Sequence, residues 1–396
     1  MTSLTDLFLR KGADRRLRGG HLWVFSNEVD SDRSPLSAYV AGDPVAVRSA
    51  DGRLLGSAYM EPNALICARV YAPRRECMPD TSLFNASLRN ALALRERFFQ
   101  QPFYRLVYGD SDLLPGVVID RFGEYLVMQL NNAGIERHQA ALLASVVELL
   151  RPAGVLLRAD SRARREQQLE DRVEVVYGQV PELVALEENG VRFEAPVYGG
   201  QKTGWFYDHR LSRARLQQLV DGCDVLDVYS YVGGWGVQAA AAGASSVCCI
   251  DSSEAALDGV LRNADINGVG PLVRVAPGRA DAVMQALAGG KECFDVVVLD
   301  PPAFIQRRRD LKKGVAAYRR INELGLRLLK PGGLLVAGSC SMHLPRADLV
   351  TALQGAARRA ECELRVVEQG GQGPDHPVHP AIPETDYLKA VFARRL

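Results

Sequence analysis

Hydrophobic and polar positions follow three different rhythms along the chain. Up to about residue 75, short period-two runs such as Val45-Ala46-Val47 and Leu65-Ile66-Cys67-Ala68-Arg69-Val70 are broken by Ala41-Gly42-Asp43 and Asp51-Gly52. Alternation punctuated by turn residues predicts a small β-rich module. Between 76 and 190 the spacing switches between helix, over 83–99 and 138–150, and strand, over 117–119, 125–130, 155–158 and 173–177. That mixture predicts a central α+β domain. From about residue 200, apolar strand runs at 225–229, 247–250, 272–275, 296–299 and 334–337 alternate strictly with helical stretches such as 235–242 and 255–267. Such alternation marks a parallel α/β sheet, so domains at 1–75, 76–190 and 191–396 are expected. Ligands of these sheets bind at the carboxyl ends of the strands, and candidate chemistry belongs there.

Composition narrows the partners and compartments. The 396 residues, 47% hydrophobic and 24% charged, suit a globular chain with two or three cores. No stretch approaches the ~18 apolar residues of a membrane-spanning helix, and the N-terminal run MTSLTDLFLRKGADRR lacks a signal-peptide core. A cytoplasmic protein with no membrane attachment is expected. Lys and Arg number 48 against 47 Asp and Glu, a net charge of +1. Any polyanionic partner must therefore be met by local basic clusters and not by the bulk field. Eight cysteines, at 67, 77, 223, 248, 249, 293, 340 and 362, show no C-x-x-C pair and no Cys/His cluster at zinc spacing. Neither a disulfide framework nor a metal site is expected. Most of them, like Cys248-Cys249 between Val247 and Ile250, read as small buried hydrophobes.

The predicted strand ends carry the polar residues of interest. The first leads through Asp227 and Tyr229 into Gly233-Gly234-Trp235-Gly236, a turn that lets a ligand approach the backbone closely. Its G-G-x-G spacing differs from the G-x-G-x-x-G of a pyrophosphate site, and taken alone it favours a plain structural turn. Asp251 ends the second strand, placed either to bond the hydroxyls of a ribose or to start a helix in Asp251-Ser252-Ser253-Glu254. Asp281 follows the third strand and could accept from an adenine amino group or cap a helix. The fourth strand stops at Asp300-Pro301-Pro302, where two prolines stiffen the loop that presents the carboxylate. The fifth leads to Gly338-Ser339-Cys340-Ser341.

Four ordered segments carry a wider resemblance. They are Leu9-Arg10-Lys11-Gly12 through His21-Leu22-Trp23-Val24-Phe25-Ser26, and Tyr104-Arg105-Leu106-Val107 through Leu114-Pro115-Gly116-Val117-Val118-Ile119-Asp120-Arg121. The others are Gly200-Gln201-Lys202-Thr203-Gly204-Trp205-Phe206-Tyr207-Asp208-His209-Arg210, and Asp375-His376-Pro377 through Pro383-Glu384-Thr385-Asp386-Tyr387-Leu388-Lys389. Together they resemble the S-adenosylmethionine-dependent cytosine-5 methyltransferases of large-subunit ribosomal RNA, which carry an N-terminal PUA domain. The resemblance implies a PUA domain at 1–75 and a C-terminal Rossmann-like class I methyltransferase domain. It further implies S-adenosylmethionine as methyl donor and 23S-type ribosomal RNA as partner, with a homodimer as a family-level expectation. Asp251 would bind the ribose and Asp281 the adenine. Tyr229, Gly233 and the loop with Lys202, Thr203 and Phe206 would surround the methionine part, with Asp227, Ser252 and Asp300 completing the cofactor set. Trp205 and Tyr207 depart from the family's more usual Phe and Leu but keep apolar bulk.

C5 of cytosine is a poor nucleophile, and a thiolate added to C6 would make it enamine-like, splitting one hard step into two. Cys340 is the one cysteine at a strand's carboxyl end beside Asp300, and it is chiefly the resemblance that implies a nucleophile there over a buried hydrophobe. Asp300 would bond the N3/N4 edge of the base and stabilise charge developing there. The acceptor of the C5 proton is unassigned, and His343 reads better as a surface histidine. Phosphate contacts are expected from Arg10, Lys11, Arg15 and Arg16, and from Arg307, Arg308, Arg309 and Lys312 beside the Asp-Pro-Pro loop, although such runs are commonly plain solvated faces. Arg158, Arg162, Arg164 and Arg165 form a weaker third cluster. Competing readings are a methyltransferase for 5-methyluridine or an N-methylated base, a nicotinamide-dependent oxidoreductase on the same fold, and a non-catalytic RNA-binding assembly factor.

Overall fold

The computed structural model describes residues 4–396, which divide into two compact units. The first unit comprises Met1–Val184, Pro196–Trp205 and Pro374–Thr385, and the second Ala185–Ala195, Phe206–Gly373 and Asp386–Leu396. In the first unit, strands Thr5–Phe8, Trp23–Phe25, Pro44–Arg48, Leu54–Met60 and Ile66–Pro73 form a five-stranded sheet. Their inward residues, among them Leu7, Val24, Val45, Val47 and Met60, are fully buried, as the alternation predicts. A second five-stranded sheet runs from Phe103–Tyr108 to Arg172–Gly178. Helices Thr81–Phe98 and Gln139–Leu150 supply side chains to its core. Asp80 starts the first of these by accepting the Leu83 N–H at 3.0 Å.

The second unit holds one seven-stranded sheet. Its strands are β1 (Asp224–Val228), β2 (Ser246–Asp251), β3 (Val273–Pro277), β4 (Phe294–Leu299), β5 (Leu329–Ser339), β6 (Leu364–Gly370) and β7 (Lys389–Arg395), in the order β3-β2-β1-β4-β5-β7-β6. The helices are α1 (Arg210–Gln217), α2 (Gly236–Ala241), α3 (Glu254–Ile266), α4 (Ala280–Gly289), α5 (Leu311–Leu328) and α6 (Arg346–Arg359). The first five strands are parallel, and strand order reverses between β1 and β4. Strict alternation fails at the C-terminal edge, where β7 runs antiparallel to both β5 and β6. No α-helix separates β6 from β7, and antiparallel neighbours need no helical crossover. Leu226, Val228, Ile250, Val297, Leu299 and Leu335 are almost wholly buried in this core. Each contributes about 1.5–3 kcal/mol relative to exposure, which makes the sheet a rigid base for the residues at its carboxyl edge.

Candidate active site

Three left-handed residues shape the turn after β1: Tyr229 (φ 67°), Tyr231 (φ 50°) and Gly233 (φ 88°). For the tyrosines this conformation costs about 1–2 kcal/mol each. The turn is held down by the Tyr229 and Ser230 N–H groups, which donate to the Ile250 carbonyl at 2.9 and 3.0 Å. Gly233 is required twice over, by its φ and because a Cβ would lie 2.6 Å from Val237. Asp227 lies beneath the turn, fully buried, accepting the Gly236 N–H at 2.8 Å. Burial, opposed by that hydrogen bond and reinforced by the Asp300 and Asp251 charges, pushes its carboxyl up to about 7. Its position makes it a support of the turn and not part of the cavity wall.

Asp251 ends β2 with Oδ2 accepting the Tyr231 N–H at 3.0 Å and Oδ1 accepting the Ser253 N–H at 2.9 Å. The N-cap of α3 is Ser253, whose hydroxyl accepts from Ala256, so Asp251 is left for the cavity. That cavity, about 340 Å³, is lined by Tyr229, Asp251, Ser252 and Asp281 together with Arg279, Phe304, Arg320, Ile321 and Leu324. Asp281 sits in the first turn of α4 with Arg279 at 3.3 Å. That hydrogen bond outweighs the small burial effect and holds its carboxyl below the usual range. Apolar walls with acids at the rim fit an adenosyl group, a flat base carrying a ribose diol, and the volume lies in the ordinary range for small-ligand sites. The α5 and Phe304 walls were not legible in the sequence, because their apolar faces read equally well as core.

Beyond β4, Asp300 is held by both oxygens. His209 Nε2 lies 3.1 Å from Oδ1, and the Trp235 indole N–H donates to Oδ2 at 3.1 Å. Burial works against the Asp300 charge, yet His209 and the indole together outweigh it and keep the carboxyl below its usual value. A Cβ on Gly338 would lie 2.9 Å from Asp300 Oδ1, so that glycine lets the end of β5 close on the carboxylate. Ser339, the last residue of β5, and Ser341 are both fully buried, and Cys340 between them is half-buried. Ser339 donates to the Tyr318 hydroxyl at 2.9 Å, and Tyr318 shares a 2.8 Å hydrogen bond with Ser341. The Ile305 N–H, just past the proline loop, donates to Ser341 Oγ at 3.3 Å. The cysteine turn is thereby tied to both α5 and the loop after Asp300.

Other expected site residues fall elsewhere. Phe206 belongs to the second unit, its ring edge-on to Tyr231 at 5.5 Å and its carbonyl bound by Arg213. Lys202 and Thr203 belong to the first unit. The Thr203 hydroxyl donates to Asp120, which also takes both ends of the Arg105 guanidinium at 2.7 Å. Arg10, Lys11, Arg15 and Arg16 are exposed, with Arg16 paired to Glu28 at 3.1 Å and stacked on Phe25. Arg307, Arg308, Arg309 and Lys312 are exposed where the chain enters α5. The third basic cluster dissolves. Arg158 and Arg164 are buried, bonded respectively to Asp160 and the Val197 carbonyl, and to Glu136 and the Leu130 carbonyl. Cys293 is exposed, not a buried hydrophobe. His209, Trp235 and Lys389 escaped the sequence reading because their partners are distant in the chain.

Among the described residues no helix is long and apolar enough to cross a membrane, and no cluster of His, Cys, Asp and Glu could hold a metal ion. A family described as S-adenosylmethionine-dependent methyltransferase matches residues 136–394, and a PUA-like domain matches residues 7–73. The chain is 33% identical to the ribosomal RNA large subunit methyltransferase I of Tolumonas auensis, over 99% of this chain and 100% of the relative. It is 35% identical to the protein of the same name from Erwinia tasmaniensis, over 98% of each. A crystal structure of a methyltransferase complexed with S-adenosylhomocysteine shares the fold, with a TM-score of 0.85 and 19% identity over 99% of this chain and 100% of that one. The chain therefore belongs to the S-adenosylmethionine-dependent methyltransferases, in the family whose curated members are named ribosomal RNA large subunit methyltransferase I.

Proposed function

We propose that the protein methylates C5 of a cytosine in large-subunit ribosomal RNA, in the cytoplasm, through a transient bond between Cys340 Sγ and C6. The observation that carries this reading is the half-buried cysteine between two buried serines, at the end of β5 where Gly338 admits Asp300. Full-length relatives bearing the ribosomal RNA name support the substrate class. Bound in the cavity, S-adenosylmethionine supplies an electrophilic methyl group on a sulfonium. Asp251 takes the ribose hydroxyls and Asp281 the adenine edge, while Tyr229, Gly233 and the Phe206 ring border the methionine end.

The Cys340 thiolate adds to C6, and the displaced electron pair moves through C5 toward N3, which takes a proton from water. Asp300, ionised because His209 and Trp235 stabilise its charge, accepts from the N4 amino group and then from the new N3–H. C5 takes the methyl group as the pair returns from the N3 side, N3 gives its proton back to water, and the C5 hydrogen then departs to water as a proton. The freed pair restores the C5–C6 double bond as Sγ leaves. A paired base cannot offer C6 to the thiol, so the target is unpaired or flipped out. Arg307, Arg308, Arg309 and Lys312 hold neighbouring phosphates, as do Arg10, Lys11, Arg15 and Arg16 on the PUA-like domain. Cys340→Ala is expected to abolish methylation of ribosomal RNA while S-adenosylhomocysteine affinity stays within twofold of the unaltered protein. Full activity in that variant would refute the nucleophile assignment.

A further inference from the structure

One buried cation in the second unit makes no hydrogen bond to a carboxylate among the described residues. Lys389 opens β7 directly across from Ser339 in the antiparallel β5–β7 pairing, and only 5% of it is exposed. Its ammonium donates to the Ser341 and Tyr387 carbonyls, both at 2.7 Å, and among the described residues its hydrogen-bond partners include no carboxylate. Two neutral carbonyls orient a charge without cancelling it, and a buried ammonium is unfavourable unless an anion stands near. The carbonyl of Ser341 follows Cys340 directly, so the ammonium is anchored at the residue next to the thiol.

The charged and titratable groups around this pair come from every element packed on it. Asp386 and Arg346 face Lys389 from its own approach segment and from α6, and Cys340 faces it from the turn just after β5. Arg346 is itself engaged by the Gly370 carbonyl at 2.8 Å. Tyr318, from α5, faces Cys340 as a neutral hydroxyl committed to Ser339 and Ser341, and burial keeps its proton on. Burial foremost, with Arg346 against it and Asp386 and Cys340 in its favour, brings the Lys389 ammonium down to about 8. At neutral pH it is still charged. An anion formed at Cys340 adds to the attraction of Asp386 and offsets the repulsion of Arg346.

The geometry points to Lys389 as a positioning residue that holds Cys340 in its thiolate form, ready to attack the base. This rests on the reading of Cys340 as nucleophile, yet it can be tested without RNA. The probe is iodoacetamide on the full-length protein, with peptide mass spectrometry reporting the rate at Cys340 between pH 5 and 9. Sulfur–carbon bond formation with loss of iodide proceeds from the thiolate, so the rate tracks its population. N-acetylcysteine in the same tube is the reference thiol.

In the unaltered protein the Cys340 rate is expected to inflect at least one pH unit below the reference. In Lys389→Met the rate at pH 6.5 is expected to fall about tenfold, one pH unit being a factor of ten, and Lys389→Arg should restore most of it. A Cys340 inflection at or above the reference in the unaltered protein overturns the proposal even if the Met variant does not fold. So does an unchanged rate in a folded Met variant. Failure of the nucleophile reading shows separately, as retained methylation by Cys340→Ala with the thiol coupling intact.

Discussion

The two halves of the sheet's carboxyl edge handle their polar groups in opposite ways. On the β1–β3 side, Asp251 and Asp281 line an open cavity, each Asp251 oxygen taking one backbone N–H and both Asp281 oxygens facing a surface arginine. On the β4–β5 side, Asp300 has a partner on each oxygen, and the cysteine turn is bonded to α5, the proline loop and β7. The first half leaves hydrogen-bonding capacity for a ligand that arrives with its own donors. The second holds its carboxylate with two buried side chains, outside the lining of that cavity, and ties the neighbouring turn to three elements. On the function proposed above, a binding edge and a reacting edge are built from the same strand ends by different degrees of preorganisation.

The comparison can be broken at several depths. The largest effect is expected for Asp300→Ala, which removes the fixed acceptor. Single-turnover methylation should fall about a thousandfold, with S-adenosylhomocysteine affinity, measured by calorimetry, nearly unchanged. A parallel loss of cofactor affinity would mean that the two halves are not separable. Asp251→Ala should show the reverse split. Two charge-assisted hydrogen bonds to a ribose diol are worth roughly 1.5–3 kcal/mol each, so cofactor binding weakens by at least about a hundredfold. The rate at saturating cofactor should then change by less than threefold, and a large fall in that rate would sink the division of labour.

The smallest effect concerns Asp227, whose charge state runs opposite to that of Asp300. Because burial raises the folded value of Asp227 to about 7, its contribution to stability is fully present below the unfolded carboxylate value. It is lost as pH rises toward and through 7. Asp300, depressed by His209 and Trp235, stabilises above the unfolded value and loses that contribution only as pH falls through its folded one. Asp227→Asn keeps an acceptor for the Gly236 N–H and removes the charge. Its melting temperature should exceed that of the unaltered protein at pH 8, by about 2–4 °C per kcal/mol recovered, with the gain shrinking at pH 5. A gain larger at pH 5 than at pH 8 would reverse the assignment.

Legibility in the sequence followed the range of the interaction. The parallel strands showed themselves through continuous apolar runs, so β2 and β4 begin and end within two residues of expectation. The edge strand β6 did not, because Leu364–Gly370 is largely exposed and carries no apolar period. Helix α5 was hidden behind its basic entry, Arg307 to Lys313, which drew attention to charge and away from the 18-residue amphipathic stretch. Asp251, Asp300 and Cys340 were visible because strand ends are local features. The partners that hold Asp300, His209 and Trp235, are brought to it by tertiary folding alone. Lys389 closes the Pro383–Lys389 segment in the sequence, but its place beside the cysteine turn follows only from the pairing of β7 with β5.

The central claim is that Cys340 bonds covalently to the target base. A ribosomal RNA fragment in which cytidine is replaced by 5-fluorocytidine cannot release a C5 proton after methyl transfer, so a nucleophile that has added to C6 stays attached. Incubated with the protein and S-adenosylmethionine, then digested and sequenced by mass spectrometry, such RNA is predicted to be found on the peptide carrying Cys340, and to be absent with Cys340→Ala. Active methylation of the unsubstituted fragment with no adduct at Cys340, or with the adduct on another cysteine, would contradict the account.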